Sequence, residues 1–222
     1  MRLLFLIDQP RQHSLTELVR QKRKTRECKI RFNILSEDIN AVRNYLAILN
    51  TGELYSDFKD IFDLDNIGLL GHSGGGGTVI IRAFEDKDIK AVVALDPAIR
   101  PLSDKLLSRD MGASLFITMS EEWQNDKRCE KLDILMKASR NKVYAYEIDD
   151  INHADYAMID YISPLAKMIS NSGGFLAREG EKLLKEAVLS FFDECFKGTA
   201  SRLEEIADST DKIRFYSNSV EN

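Results

Sequence analysis

The chain has 222 residues, 44% of them hydrophobic and 30% charged, which suits one soluble domain with a real core. A net charge of −5 gives no reason to expect a nucleic-acid partner, and no apolar run is long enough for a transmembrane span. Three well-separated cysteines, Cys28, Cys129 and Cys195, form no metal pattern and leave one unpaired, which points to a reducing, cytoplasmic compartment.

In chain order, Leu3 to Ile7 is too short for a signal-peptide core, is closed by Asp8, and reads as an edge strand over residues 1–8. Residues 9–35 are polar and basic, with Leu15, Leu18 and Val19 at helical spacing and the basic run Arg20–Lys24 read as a solvated helix face. Ser36 is placed to cap a helix reaching about Asn50, with Ile39, Val42, Leu46 and Leu49 on one face. Residues 53–66 form an acidic connection whose Tyr55, Phe58 and Phe62 are expected to pack on the sheet.

Ile67-Gly68-Leu69-Leu70 has the shape of a buried strand, and Thr78 to Phe84 reads as a helix. Between them stands Gly71-His72-Ser73-Gly74-Gly75, which fits G-x-S-x-G. A serine at a sharp strand-to-helix turn is a nucleophile elbow, with the N–H of the next residue, here Gly74, aimed at a developing oxyanion. Neither phosphate motif fits. No lysine follows Gly77 as a P-loop needs, and Gly71, Gly74 and Gly77 lack the dinucleotide spacing.

Three more strands follow, at 89–95, 114–119 and 143–148, with helices at about 125–139, from His153 to about Ser170, and from Glu179 to Phe196. Residues 198–222 read as a polar tail with one short helix, leaving a single domain over 1–197. Apolar strands alternating with helices predict an α/β fold with a mostly parallel, doubly covered sheet, whose sites form at the carboxyl ends of strands. Ser73, Asp96, Glu121 and His153 all fall at such ends.

A serine hydroxyl needs a base. Of three histidines, His13 lies in the polar N-terminal segment, and His72 is the variable elbow residue, read as packing whose side chain diverges from Ser73. His153 follows the last predicted strand, as the order serine, acid, histidine requires. The acid is open between Asp96 and the pair Glu121 and Glu122. Asp149 and Asp150 suit a cap or the surface.

The run Gly71 to Ile80, followed by Ala94-Leu95-Asp96-Pro97-Ala98 and Pro101-Leu102, resembles the platelet-activating factor acetylhydrolases of the α/β-hydrolase type. The resemblance covers roughly residues 36–196. It implies Asp96 as the acid and His153-Ala154-Asp155-Tyr156 as the histidine segment. It also implies a serine ester hydrolase without cofactor or metal. Its substrate would be a short acyl ester, such as the sn-2 acetyl or oxidised acyl group of a phospholipid. Family members are longer, with further strands upstream and a glycine-containing loop that supplies a second oxyanion donor. No H-G-x-G stands before residue 68 here, and residues 1–35 diverge. Two expectations follow. A catalytically weak or inactive scaffold serving as an interaction protein is the alternative reading. The sheet edge left by the missing strands needs covering, by residues 1–35 or by a second subunit in a homo-oligomer.

Overall fold

The computed structural model describes residues 15–123, 127–157, 174–176 and 179–218; the side chains of residues 15–26, 28, 29, 122 and 127 lie outside that description. The edge strand read at 1–8, His13, the basic run's side chains, the Glu122 side chain and most of the helix read after His153 therefore lie outside the described residues.

Helix α1 runs unbroken over Leu15–Asn50. The cap expected at Ser36 is thus corrected: no glycine or proline interrupts the segment, and Ser36 is a buried mid-helix residue. The helix ends where Gly52 takes a positive φ, 76°, and its N–H bonds to the Leu49 carbonyl. Arg43 ties α1 to the following layer by ion pairs with Asp86 and Asp88.

The sheet holds five strands in sequential order: β1 (Ile67–His72), β2 (Ile89–Leu95), β3 (Ser114–Met119), β4 (Val143–Ile148) and β5 (Ile213–Ser217). The first four pair in parallel, and β5 runs antiparallel to β4. Between them lie α2 (Gly74–Glu85), the short α3 (Asp104–Leu107), α4 (Lys127–Ala138), α5 (Gly180–Lys197) and α6 (Leu203–Asp208). The expected α/β architecture with a mostly parallel sheet holds.

Strand alternation builds two cores. Val92, Ala94, Leu115, Ile117, Val143 and Ala145 point to the face packed by α2 and α4. Ala91, Val93, Phe116, Tyr144 and Tyr146 point to the face covered by α5 and α6, where Phe116 and Phe191 approach with ring centroids 5.9 Å apart. Each fully buried large side chain contributes roughly 1.5–3 kcal/mol.

Three sequence readings change. The segment read as a polar tail with one short helix holds that helix, α6, and also supplies β5. In β5, Ile213 and Phe215 alternate with the exposed Arg214 and Tyr216, and Tyr146 Oη donates to the Leu203 carbonyl at 2.5 Å. Tyr55 and Phe58 do not pack on the sheet. They are exposed and join Phe62 in a small aromatic stack, Phe58 and Phe62 lying 6.0 Å apart. Strand β1 is not buried: among the described residues nothing pairs with its outer edge, and Leu70 is 52% exposed. A groove of about 660 Å³ runs along this edge between α1 and β1, walled by Ile39, Val42, Leu46, Ile67 and Leu69. Of residues 1–35, offered as a cover for the edge, the described ones, 15–35, belong to α1. No described helix is long and apolar enough to cross a membrane.

Candidate active site

The parallel register brings His72 level with Leu95, Leu95 with Thr118, and Met119 with Glu147. Whatever follows these strands converges on one edge of the sheet. Ser73 follows β1, Asp96 follows β2, and the loop bearing His153 follows β4.

Ser73 sits at φ 55° and ψ −118°, a strained conformation for a residue with a Cβ. Its N–H donates to the Leu95 carbonyl at 3.0 Å, and its own carbonyl accepts from Ala98 at 2.8 Å and Gly77 at 3.1 Å. These bonds hold the turn against β2. The turn is tight enough that a Cβ on Gly71 would stand 2.5 Å from the Gly75 carbonyl, so only glycine fits there. Gly74 opens α2, which leaves its N–H without an intrahelical acceptor, and the space on its Cβ side is open.

Ser73 Oγ lies 2.8 Å from His153 Nε2, and His153 Nδ1 lies 2.5 Å from Asp96 Oδ2. The Asp96 side chain is fully buried, and its other oxygen accepts from the Ser120 N–H at 2.8 Å. A buried carboxylate so engaged holds Nδ1 protonated and leaves Nε2 as the acceptor for the serine proton. His153 remains partly exposed toward the cleft.

The structure therefore brings together Ser73, Gly74, Asp96 and His153, and leaves Glu121 out. Glu121 is exposed, and its Oε1 accepts from the Asp150 N–H at 2.7 Å. As a candidate acid it is corrected to an anchor of the histidine loop. That loop has further ties. The Asp149 N–H bonds to the Lys212 carbonyl at 2.8 Å. The Asp149 carboxylate pairs bidentately with Arg214 of β5 at 2.8 and 2.9 Å. Asn152 Oδ1 accepts from the Ala154 N–H at 2.9 Å in an Asx-type turn, and Asp155 Oδ2 accepts in return from the Asn152 N–H at 2.8 Å, a pairing that the Asn-His-Ala-Asp spacing could have suggested.

His72 is more than filler. Its ring packs on the ring of His153, centroids 4.7 Å apart, and on Tyr156 at 5.6 Å. Burial first, then the neighbouring His153, pull its pKa below 6.5 against the opposing pull of Asp96 and a bond to the His153 backbone. Trp123 is fully buried in the core and does not line the cleft.

A family model described as platelet-activating factor acetylhydrolase, isoform II, matches residues 6–211, wider at both ends than the motif-based resemblance. Platelet-activating factor acetylhydrolase of Canis lupus familiaris is 32% identical over 111 residues, which are 50% of this chain and 24% of that protein. The Bos taurus protein is 34% identical over 108 residues, 49% of this chain and 23% of its own length. The Cavia porcellus protein is 22% identical over 185 residues, covering 77% of this chain and 42% of that one. The chain thus spans about a quarter of the first two relatives and under half of the third. Among solved structures, a ferulic acid esterase from Streptomyces cinnamoneus superposes with a TM-score of 0.63 at 16% identity. It covers 83% of this chain and 54% of its own, a likeness that shows the α/β-hydrolase fold.

Proposed function

The chain belongs to the platelet-activating factor acetylhydrolase, isoform II, family, and from that premise we propose that it is a carboxylic ester hydrolase with Ser73 as nucleophile. The observation that carries this reading is the unbroken line from Ser73 Oγ through His153 to Asp96, at 2.8 and 2.5 Å. Ser73 Oγ attacks the ester carbonyl as Nε2 takes its proton. The tetrahedral oxyanion is met by the Gly74 N–H at the start of α2. Collapse breaks the bond to the leaving alcohol, which takes the proton from Nε2. Water then attacks the acyl-serine by the same route and releases the acid. Asp96 keeps the imidazole in the right tautomer and stabilises its cation.

The substrate class we propose is a short acyl ester, including sn-2 acetyl or oxidised acyl groups of phospholipids. It draws on the names of the matched relatives and on a cleft of about 440 Å³ that opens over Ser73. The test is labelling with a fluorophosphonate probe, mapped by mass spectrometry, beside turnover of a short acyl ester. We expect an adduct on Ser73 that is absent from His153→Ala, and a folded Ser73→Ala variant slowed by about 10⁴-fold or more. Unchanged turnover in folded Ser73→Ala would sink the reading. A folded wild-type chain without adduct would favour the inactive scaffold instead.

A further inference from the structure

His153 is held at both ring nitrogens but is open on one side. Its Nδ1 meets the buried Asp96 carboxylate at 2.5 Å, and its Nε2 faces Ser73 Oγ at 2.8 Å. The carboxylate is itself fixed by the Ser120 N–H at 2.8 Å. Yet the imidazole side chain is 40% exposed. A ring anchored at Nδ1 can still turn about that bond, and such a turn carries Nε2 away from the serine. Reaction geometry tolerates little of this, because a misplacement of about 1 Å can cost about 10²-fold in rate. A contact on the face of the ring is what would prevent the turn.

His72 makes that contact. It closes β1, level with Leu95 of β2, and the next residue is Ser73. This strand end is firmly held: the Ser73 N–H bonds to the Leu95 carbonyl at 3.0 Å, and no side chain fits at Gly71. Successive side chains diverge, so the His72 ring lies off the Ser73 hydroxyl. It packs on the His153 ring, centroids 4.7 Å apart and planes tilted by 38°. It also packs on Tyr156, at 5.6 Å and 30°. Tyr156 is buried and joins Ile151 and Phe175 in the core, and the bonds linking Asn152 to Ala154 and Asp155 hold this segment as one turn. One ring from β1 therefore touches both the base and the residue that roots its loop in the core. The His72 Nε2 is buried without a hydrogen-bond partner, so no bond at that atom accounts for the contact. Burial favours the neutral form of the ring, which sets no charge against the base.

We propose that His72 is a positioning residue: its ring, packed also on Tyr156, fixes the rotation of the His153 imidazole and so keeps Nε2 on Ser73 Oγ. This rests on the hydrolase reading above, in which His153 is the base. Two consecutive residues of β1 and its turn then serve one reaction. Ser73 supplies the nucleophile, and His72 sets where the base stands relative to it. His72 acts through His153 and touches none of the reacting atoms.

The test compares the full chain with His72→Leu, which removes the ring, and His72→Phe, which keeps a ring but no ring nitrogen. The first readout is kcat and KM for p-nitrophenyl acetate. The second is the rate at which diethyl pyrocarbonate modifies His153, mapped by mass spectrometry, which reports how freely that ring moves without calling on turnover. His72→Leu should lower kcat by roughly tenfold or more with KM little changed, and His153 should be modified faster. His72→Phe should keep kcat within about threefold of wild type and leave the modification rate as it is. Wild-type kcat in folded His72→Leu, or unchanged modification of its His153, overturns the positioning role alone. A folded His72→Phe that loses kcat by about tenfold overturns it too, so the idea stays open to refutation even if the leucine variant does not fold. No Ser73-dependent turnover in wild type overturns the hydrolase reading, while the modification rates still report on the contact itself.

Discussion

His72 bears directly on how the histidine beside it works. A proton on its ring would stand against the imidazolium that the proposed mechanism forms at His153, and burial disfavours that proton. Because its folded pKa lies below 6.5, the unfolded chain binds a proton there that the native chain refuses. Its contribution to stability is therefore neutral above about pH 6.5 and increasingly unfavourable as pH falls through that value toward the folded pKa. We expect urea midpoints to drop between pH 7.5 and 5.5, and to drop less in His72→Phe, which keeps a ring against His153. An equal drop in both proteins would remove the role. At this scale, part of the site is legible in the sequence. The elbow spacing and the chain order pick out Ser73 and His153. They do not separate Asp96 from Glu121, since both follow strands. What separates them is burial and the hydrogen bonds each makes to residues distant in sequence.

The elbow is a joint between two elements. A side chain on Gly71 would meet the backbone of Gly75 and Gly76 at 2.5–2.8 Å, so α2 would have to move off β1. Gly75 faces open space. Gly71→Ala should cost about 1–3 kcal/mol in denaturant unfolding and lower fluorophosphonate labelling at least tenfold, while Gly75→Ala should be close to neutral. Comparable losses in the two would show that close approach is not what the motif's first glycine serves. Elements with strong local signals are well marked in the sequence, as β2, β3, β4 and α5 are. The others depend on partners. Ser36 has the chemistry of a cap, but the helical segments on both sides of it are continuous. Residues 213–217 alternate correctly for a strand, yet so short a run acquires that meaning only from the exposed edge of β4.

On the scale of the whole molecule, the two edges of the sheet are treated differently. One is closed by β5. On the other, β1 and α1 present Leu70, Val42, Tyr45 and Ile48, each about half exposed, around an apolar groove. Apolar edges of this kind associate. Sedimentation velocity should show mass rising with concentration, and Leu70→Lys with Val42→Lys should suppress the rise. A wild-type chain that stays monomeric throughout would refute this. The closed edge carries another implication, one of timing. A ribosome makes Ser73, then Asp96, then His153, and only afterwards Lys212 and Arg214, which grip Asp149 at the root of the histidine loop. Ser73 and His153 are thus both synthesised well before the strand that ties down the root of the histidine loop. A chain that has not yet reached β5 holds Ser73 and His153 without that grip on Asp149. A protease cutting the exposed link around Gly198 would loosen that grip from a distance while leaving Ser73, Asp96 and His153 uncut.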